Sequence, residues 1–113
     1  MIRLYHNPRC AKSRAAKQII DESGKDYETV LYLKEPLTPG QMEHLLEKLD
    51  LAAPDLLRKQ EKLWKEDWAH KDLNEDELLL LLIEHPQLME RPILETDTRA
   101  VIGRPPERIL DIL

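Results

Sequence analysis

The sequence has one cysteine, three glycines and no phenylalanine, and aromatic residues make up 4% of its 113 positions. The lone Cys10 rules out an intramolecular disulfide framework and every zinc module built on several cysteines. His6 and Cys10 are only two ligands, and His44, His70 and His85 show no ligand spacing, so no metal site is expected. Long apolar runs are missing too. The longest, Leu78 to Ile83, is far below the roughly 20 residues that cross a bilayer, so no membrane partner is expected. Met1 to Tyr5 is interrupted by Arg3 and followed at once by polar residues, unlike a secretory signal. A cytoplasmic location follows as the expectation, and there a single thiol stays reduced. A basic excess is also absent. Lys plus Arg is 17, Asp plus Glu is 22, and the net charge is −5, which argues against a nucleic-acid partner.

What is present suits a soluble α/β domain. The length fits a single domain spanning residues 1–113. A chain of 13.3 kDa buries roughly two-thirds of its unfolded surface. Ile2 to Tyr5 reads as a short strand, and His6-Asn7-Pro8-Arg9 as a loop marked by Asn-Pro. A helix is expected from Cys10 or Ala11 to about Glu22, with Ala15, Ile19 and Ile20 on its apolar face and Gly24 as a left-handed cap. Tyr27 to Leu33 reads as a second strand. A strand, helix, strand unit implies a parallel pair.

The middle, about 38–86, reads as a helical insert. Thr38-Pro39-Gly40-Gln41 is a capping box, with Leu37 and Met42 placed as a hydrophobic staple. A further helical stretch starts at Pro54. Asn74 to Glu77 opens another, and its six apolar residues from Leu78 to Ile83 imply burial on more than one side. The mixed charges of Glu61 to Asp72 read as a solvated face, and Trp64 and Trp68 as packing residues of the insert. Arg91 to Glu95 and Ala100 to Ile102 read as an antiparallel hairpin around the turn Thr96–Arg99. A last helix is expected over Glu107 to Leu113. The order is β-α-β, helical insert, β-β-α.

Cys10 carries the chemistry. It falls where a strand passes into a helix, and there the first-turn N–H groups lack intrahelical partners and the dipole's positive end points outward. Both favour a thiolate, the nucleophilic form. Arg9, Lys12 and Arg14 add positive charge, and His6 could add charge or relay a proton. The same N–H groups would hold an oxyanion. The phosphatase pattern C-x5-R fails, because Ala16 stands at the sixth position after Cys10. The redox pattern C-x-x-C fails as well, because Ser13 replaces the second cysteine. A redox role for Cys10 therefore needs a second sulfur from outside, from glutathione or a partner protein.

His6-Asn7-Pro8-x-Cys10-x-x-Ser13-Arg14, with Leu56-Leu57-Arg58-Lys59, Arg91-Pro92-Ile93 and Gly103-Arg104-Pro105-Pro106-Glu107 following in order, resembles the ArsC family of glutaredoxin-coupled arsenate reductases. The resemblance covers essentially the whole chain. It implies a thioredoxin-like mixed sheet with a helical insert and, with no cofactor bound, arsenate as substrate, glutathione as co-substrate and glutaredoxin as partner. It assigns Cys10 as the nucleophile and Arg58, Arg91 and Arg104 as oxyanion-binding residues. His6 would help to lower the pKa of Cys10, Ser13 and Arg14 would support the loop, and Pro92 would be the proline that is cis in such folds. A monomer is expected. The residues Arg9, Ala11 and Lys12 depart from the family pattern, so a glutathione-dependent thiol reductase of another substrate is the alternative reading. A more distant one is an Spx-like regulator that binds RNA polymerase, although such regulators carry C-x-x-C.

Overall fold

A computed structural model describes residues 1–113. The chain divides into two compact units, Met1–Glu35 with Arg91–Leu113, and Pro36–Glu90.

The first unit is built on a four-stranded sheet in the order β2-β1-β3-β4. Its strands are β1 (Arg3–Tyr5), β2 (Glu28–Val30), β3 (Ile93–Glu95) and β4 (Ala100–Ile102). β1 pairs parallel with β2 and antiparallel with β3, and β3 pairs antiparallel with β4. This is the mixed, thioredoxin-like sheet that the family resemblance implies. Leu4 stands opposite Leu94, and Leu94 opposite Val101. Helix α1 (Ala11–Ser23) packs on that face through Ala16 and Ile20. With Leu4, Leu94 and Ile109 these form a fully buried core, flanked by Ile2, Ile19, Tyr27, Val101, Ile112 and Leu113. Gly24 ends α1 at φ 74°, and its N–H reaches the Asp21 carbonyl at 3.3 Å. A left-handed residue closes a helix in this way at little cost only when it has no Cβ.

Three expectations are corrected here. The inward stripe of α1 is Ser13, Ala16 and Ile20, whereas Ala15 is exposed. The second strand stops at Val30, after the His6 N–H has bonded to the Val30 carbonyl at 2.9 Å. β1 offers no further partner, so the chain folds into a turn in which Lys34 and Glu35 both donate to Leu31. Tyr32 turns inward and is buried. The last helix is a 3₁₀ helix over Pro106–Asp111. Adjacent prolines start it, and Arg108 bonds back three residues to Pro105 at 3.0 Å. The peptide bonds Arg91–Pro92 and Arg104–Pro105 are both cis.

The second unit contains α2 (Pro39–Leu49), the single turn α3 (Ala53–Leu56) and α4 (Glu75–Glu84). Thr38 Oγ1 accepts the Gln41 N–H, and the Gln41 side chain returns to the Thr38 N–H. Asn74 and Glu77 make the same reciprocal pair at the start of α4. Both α2 and α3 pack on α4, using Met42, Leu45, Leu46, Ala53 and Leu56 against Leu78, Leu79, Leu81 and Leu82. The run from Leu78 is not buried all round, because Leu80 is 48% exposed. Trp64–Trp68 forms a π-helical turn. Trp68 tilts against His85 at 5.9 Å, and the Lys71 ammonium sits 4.5 Å from the centre of its ring. An antiparallel bridge between Leu57 and Met89 ties the segment after α3 to the end of the unit. No helix is long and apolar enough to cross a membrane.

Candidate active site at Cys10

The site grows out of the end of β1. His6 makes one last ladder bond, and Asn7 then folds the chain back on itself. The Asn7 carbonyl accepts the Cys10 N–H at 3.0 Å, and its side-chain Oδ1 accepts the Arg9 N–H at 3.0 Å. Arg14 reaches back from α1 to donate to the Pro8 carbonyl at 2.9 Å. Cys10 occupies the capping position of α1 with extended backbone angles.

Ser13 anchors this loop from below. It is completely buried. Its Oγ accepts the Asn7 N–H at 3.0 Å and lies 2.6 Å from His6 Nδ1. Burial, and then the charges of Lys17 and Arg14, hold the His6 pKa below its ordinary value of 6.5. His6 is therefore mostly neutral at pH 7, and its Nδ1 shares one hydrogen bond with the Ser13 hydroxyl, whose remaining capacity takes the Asn7 N–H. A neutral ring brings no positive charge to Cys10. In the structure His6 bears on the thiol through Ser13 and the loop it holds.

Cys10 itself is partly exposed. Burial pushes its thiol up, but the backbone N–H groups of Ser13 and Lys12 and the hydrogen-bonded guanidinium of Arg91 outweigh that, and the net shift is downward from 9.0. The strong cation is thus Arg91. The sequence neighbours Arg9 and Lys12 are exposed, and Arg14 is turned to Pro8. Helix N–H groups and one guanidinium at a sulfur stabilise a thiolate and offer donors to an incoming anion.

Arg104 joins the same cluster by donating from its guanidinium to the Arg91 carbonyl at 2.8 Å. Pro92 is buried between them in sequence and accepts the Gly103 N–H at 2.8 Å. The first unit therefore brings together His6, Cys10, Ser13, Arg14, Arg91, Pro92 and Arg104. Arg58 belongs to the second unit. Its N–H donates to the Leu88 carbonyl at 2.7 Å, and its Nε to Glu61 Oε1 at 3.0 Å. Its side chain is partly buried, and its Nη1, which is shielded from solvent, makes no hydrogen bond. Asn7 is the residue whose importance the sequence understated. Its only signal was the Asn-Pro turn, which locates a bend without showing that both carbonyls of Asn7 build it.

The chain is similar to known proteins along its length. The pattern of the ArsC family matches residues 5–112. An arsenate reductase of Neisseria meningitidis is 40% identical over 99% of this chain and 97% of its own. An uncharacterised Escherichia coli protein, YfgD, is 41% identical over 99% of this chain and 96% of its own. The solved structure of an arsenate reductase from Vibrio cholerae superposes with a TM-score of 0.93 at 34% identity, covering 99% of this chain and 97% of that one. With the family pattern running through the Cys10 loop, the sheet and the Arg91 and Arg104 segments, the chain belongs to the ArsC family.

Proposed function

We propose that this chain is an arsenate reductase that works through Cys10 and draws its electrons from glutathione, with glutaredoxin as the thiol that restores the enzyme in the cytoplasm. The observation that carries the reading is a thiol of lowered pKa beside Arg91 in a chain with no second cysteine.

The chemistry runs in three balanced steps. The Cys10 sulfur bonds to arsenic, one arsenate oxygen leaves as water, and a thiol–arsenate ester remains. A glutathione sulfur then attacks the Cys10 sulfur. The electron pair of the S–As bond passes to arsenic, which leaves as arsenite, and a Cys10–glutathione disulfide forms. A glutaredoxin thiolate attacks the glutathione sulfur of that disulfide, and Cys10 returns as a thiol. Over one cycle arsenate and two thiols become arsenite, one disulfide and water. Arg91 holds the anion against the thiolate and offsets the repulsion between the two negative groups. By the resemblance of their segments to the family, Arg58 and Arg104 would bind the oxyanion as well.

The test is arsenate-dependent oxidation of NADPH by the purified protein, coupled through glutathione, glutaredoxin and glutathione reductase. Turnover is expected with wild type and absent with Cys10→Ser. Wild-type protein that consumes no reducing equivalents on addition of arsenate refutes the proposal.

A further inference from the structure

The register of the sheet places a second layer of residues behind Arg91. β1 pairs Tyr5 with Ile93, and β3 pairs Ile93 with Ile102. Continued by one or two residues, the first pairing sets Arg91–Pro92 beside the loop that follows Tyr5. The second sets it beside Gly103–Arg104. Two hydrogen bonds fix this second contact. The Gly103 N–H donates to the Pro92 carbonyl at 2.8 Å, and the Arg104 guanidinium to the Arg91 carbonyl at 2.8 Å. The Gly103 position is also tight. A Cβ there would lie 3.0 Å from Pro92 Cγ and 3.1 Å from Ile109 Cγ2. Ile109 is fully buried in the core and Pro92 is buried as well, so an added Cβ would press on the proline ring with little room for relief.

We propose that Gly103 and Arg104 are positioning residues for Arg91, a clamp on the Arg91–Pro92 backbone that holds the Arg91 guanidinium against the Cys10 sulfur. One face of the clamp is the absence of a side chain at Gly103, which lets the proline ring seat. The other is the Arg104 guanidinium, spent in part on a backbone carbonyl. Arg104 thus acts on the sulfur through Arg91. The clamp concerns the site of the proposed reaction but needs no arsenate, so its test stands apart from that of the reaction.

The experiment is the pH dependence of Cys10 alkylation by iodoacetamide, whose midpoint reads the acidity of the only thiol. Wild type, Arg104→Gln, Gly103→Ala and Arg91→Gln are compared, together with both double variants that contain Arg91→Gln. Thermal unfolding by circular dichroism confirms that each is folded. Arg104→Gln and Gly103→Ala are each expected to raise the midpoint by about 0.5–1 pH unit. In the Arg91→Gln background the same substitutions are expected to move it by less than about 0.2 pH unit, because two residues acting through a third are not additive with it. A purely structural role would lower the melting temperature and leave the midpoint unchanged. That result, or shifts that add fully to that of Arg91→Gln, overturns the clamp. If Gly103→Ala does not fold, the Arg104→Gln pair decides alone.

Discussion

Replacing Ser13 with Ala removes one oxygen and strands two buried groups. Ser13 is 0% exposed, and its partners His6 and Asn7 are 5% and 9% exposed. The Asn7 N–H loses its acceptor at 3.0 Å, and His6 Nδ1 loses its hydrogen-bond partner at 2.6 Å. Each buried group left unpaired costs about 1–3 kcal/mol. The better helix propensity of Ala returns about 0.5 kcal/mol. A net loss of about 1.5–5.5 kcal/mol is expected, a large part of a typical stability of about 5–15 kcal/mol. Urea denaturation at pH 7.5, followed by circular dichroism, measures it. The same network sets a pH dependence. Because the folded pKa of His6 lies below 6.5, the unfolded chain takes up the proton first as pH falls. The His6 contribution is whole above pH 6.5 and is lost as pH drops from there through the folded value, with a slope of at most about 1.4 kcal/mol per pH unit. His6→Asn should flatten the wild-type curve in that window. A Ser13→Ala loss under about 0.5 kcal/mol, the level of ordinary surface changes, or an unchanged slope in His6→Asn would refute the reasoning.

Other outcomes follow from the same packing and electrostatics. Arg91→Lys keeps the charge but loses the planar fork, so its alkylation midpoint should lie between those of wild type and Arg91→Gln. Leu94→Ala opens a cavity in the fully buried core beside Leu4, Ile20 and Ile109 and should cost about 2–5 kcal/mol in urea denaturation. Gly24→Ala puts a Cβ at φ 74° with nothing crowding it. It should cost about 1 kcal/mol of backbone strain, seen as a lower urea midpoint with an unchanged slope.

The hairpin and the helix caps were legible because each is written in neighbouring residues, and the parallel pair because a strand, helix, strand order implies it. Thr38 and Gln41, or Asn74 and Glu77, find each other three positions apart, and the structure shows both pairs closed. Features that depend on a partner were not legible. Tyr27 to Leu33 has strand composition throughout, yet a strand lasts only as long as its neighbour, and β1 spans Arg3–Tyr5. The phase of α1 was misread for a different reason. Its inward stripe begins at Ser13, a polar residue that a hydrophobic pattern passes over, and with Ser13 omitted Ala15 took the place of Ala16. The burial of that serine is a property of the Cys10 loop, since its hydroxyl is consumed by His6 and Asn7.

The activated cysteine was readable from its place at the start of a helix, but the origin of its positive charge was not. Arg9, Lys12 and Arg14 are the nearest cations in sequence, and none of them is the guanidinium that bonds the sulfur. A residue at a helix start fans its neighbours outward. Arg9 and Lys12 go to solvent, and Arg14 folds back onto Pro8. Arg91 reaches Cys10 because β3 runs antiparallel to β1, so the residues that enter β3 lie beside those that leave β1. The contact therefore depends on register. Side chains alternate between the two faces of a sheet, and a slip of one residue between β1 and β3 would turn Arg91 away from the sulfur. With strands of three residues the ladder alone pins that register weakly. Leu4 against Leu94 in the core fixes that register, and the bonds from Gly103 and Arg104 to the Arg91–Pro92 carbonyls hold β3 in turn against the chain that leaves β4. The acidity of the thiol is in this sense a product of the sheet's register as much as of the loop that carries it.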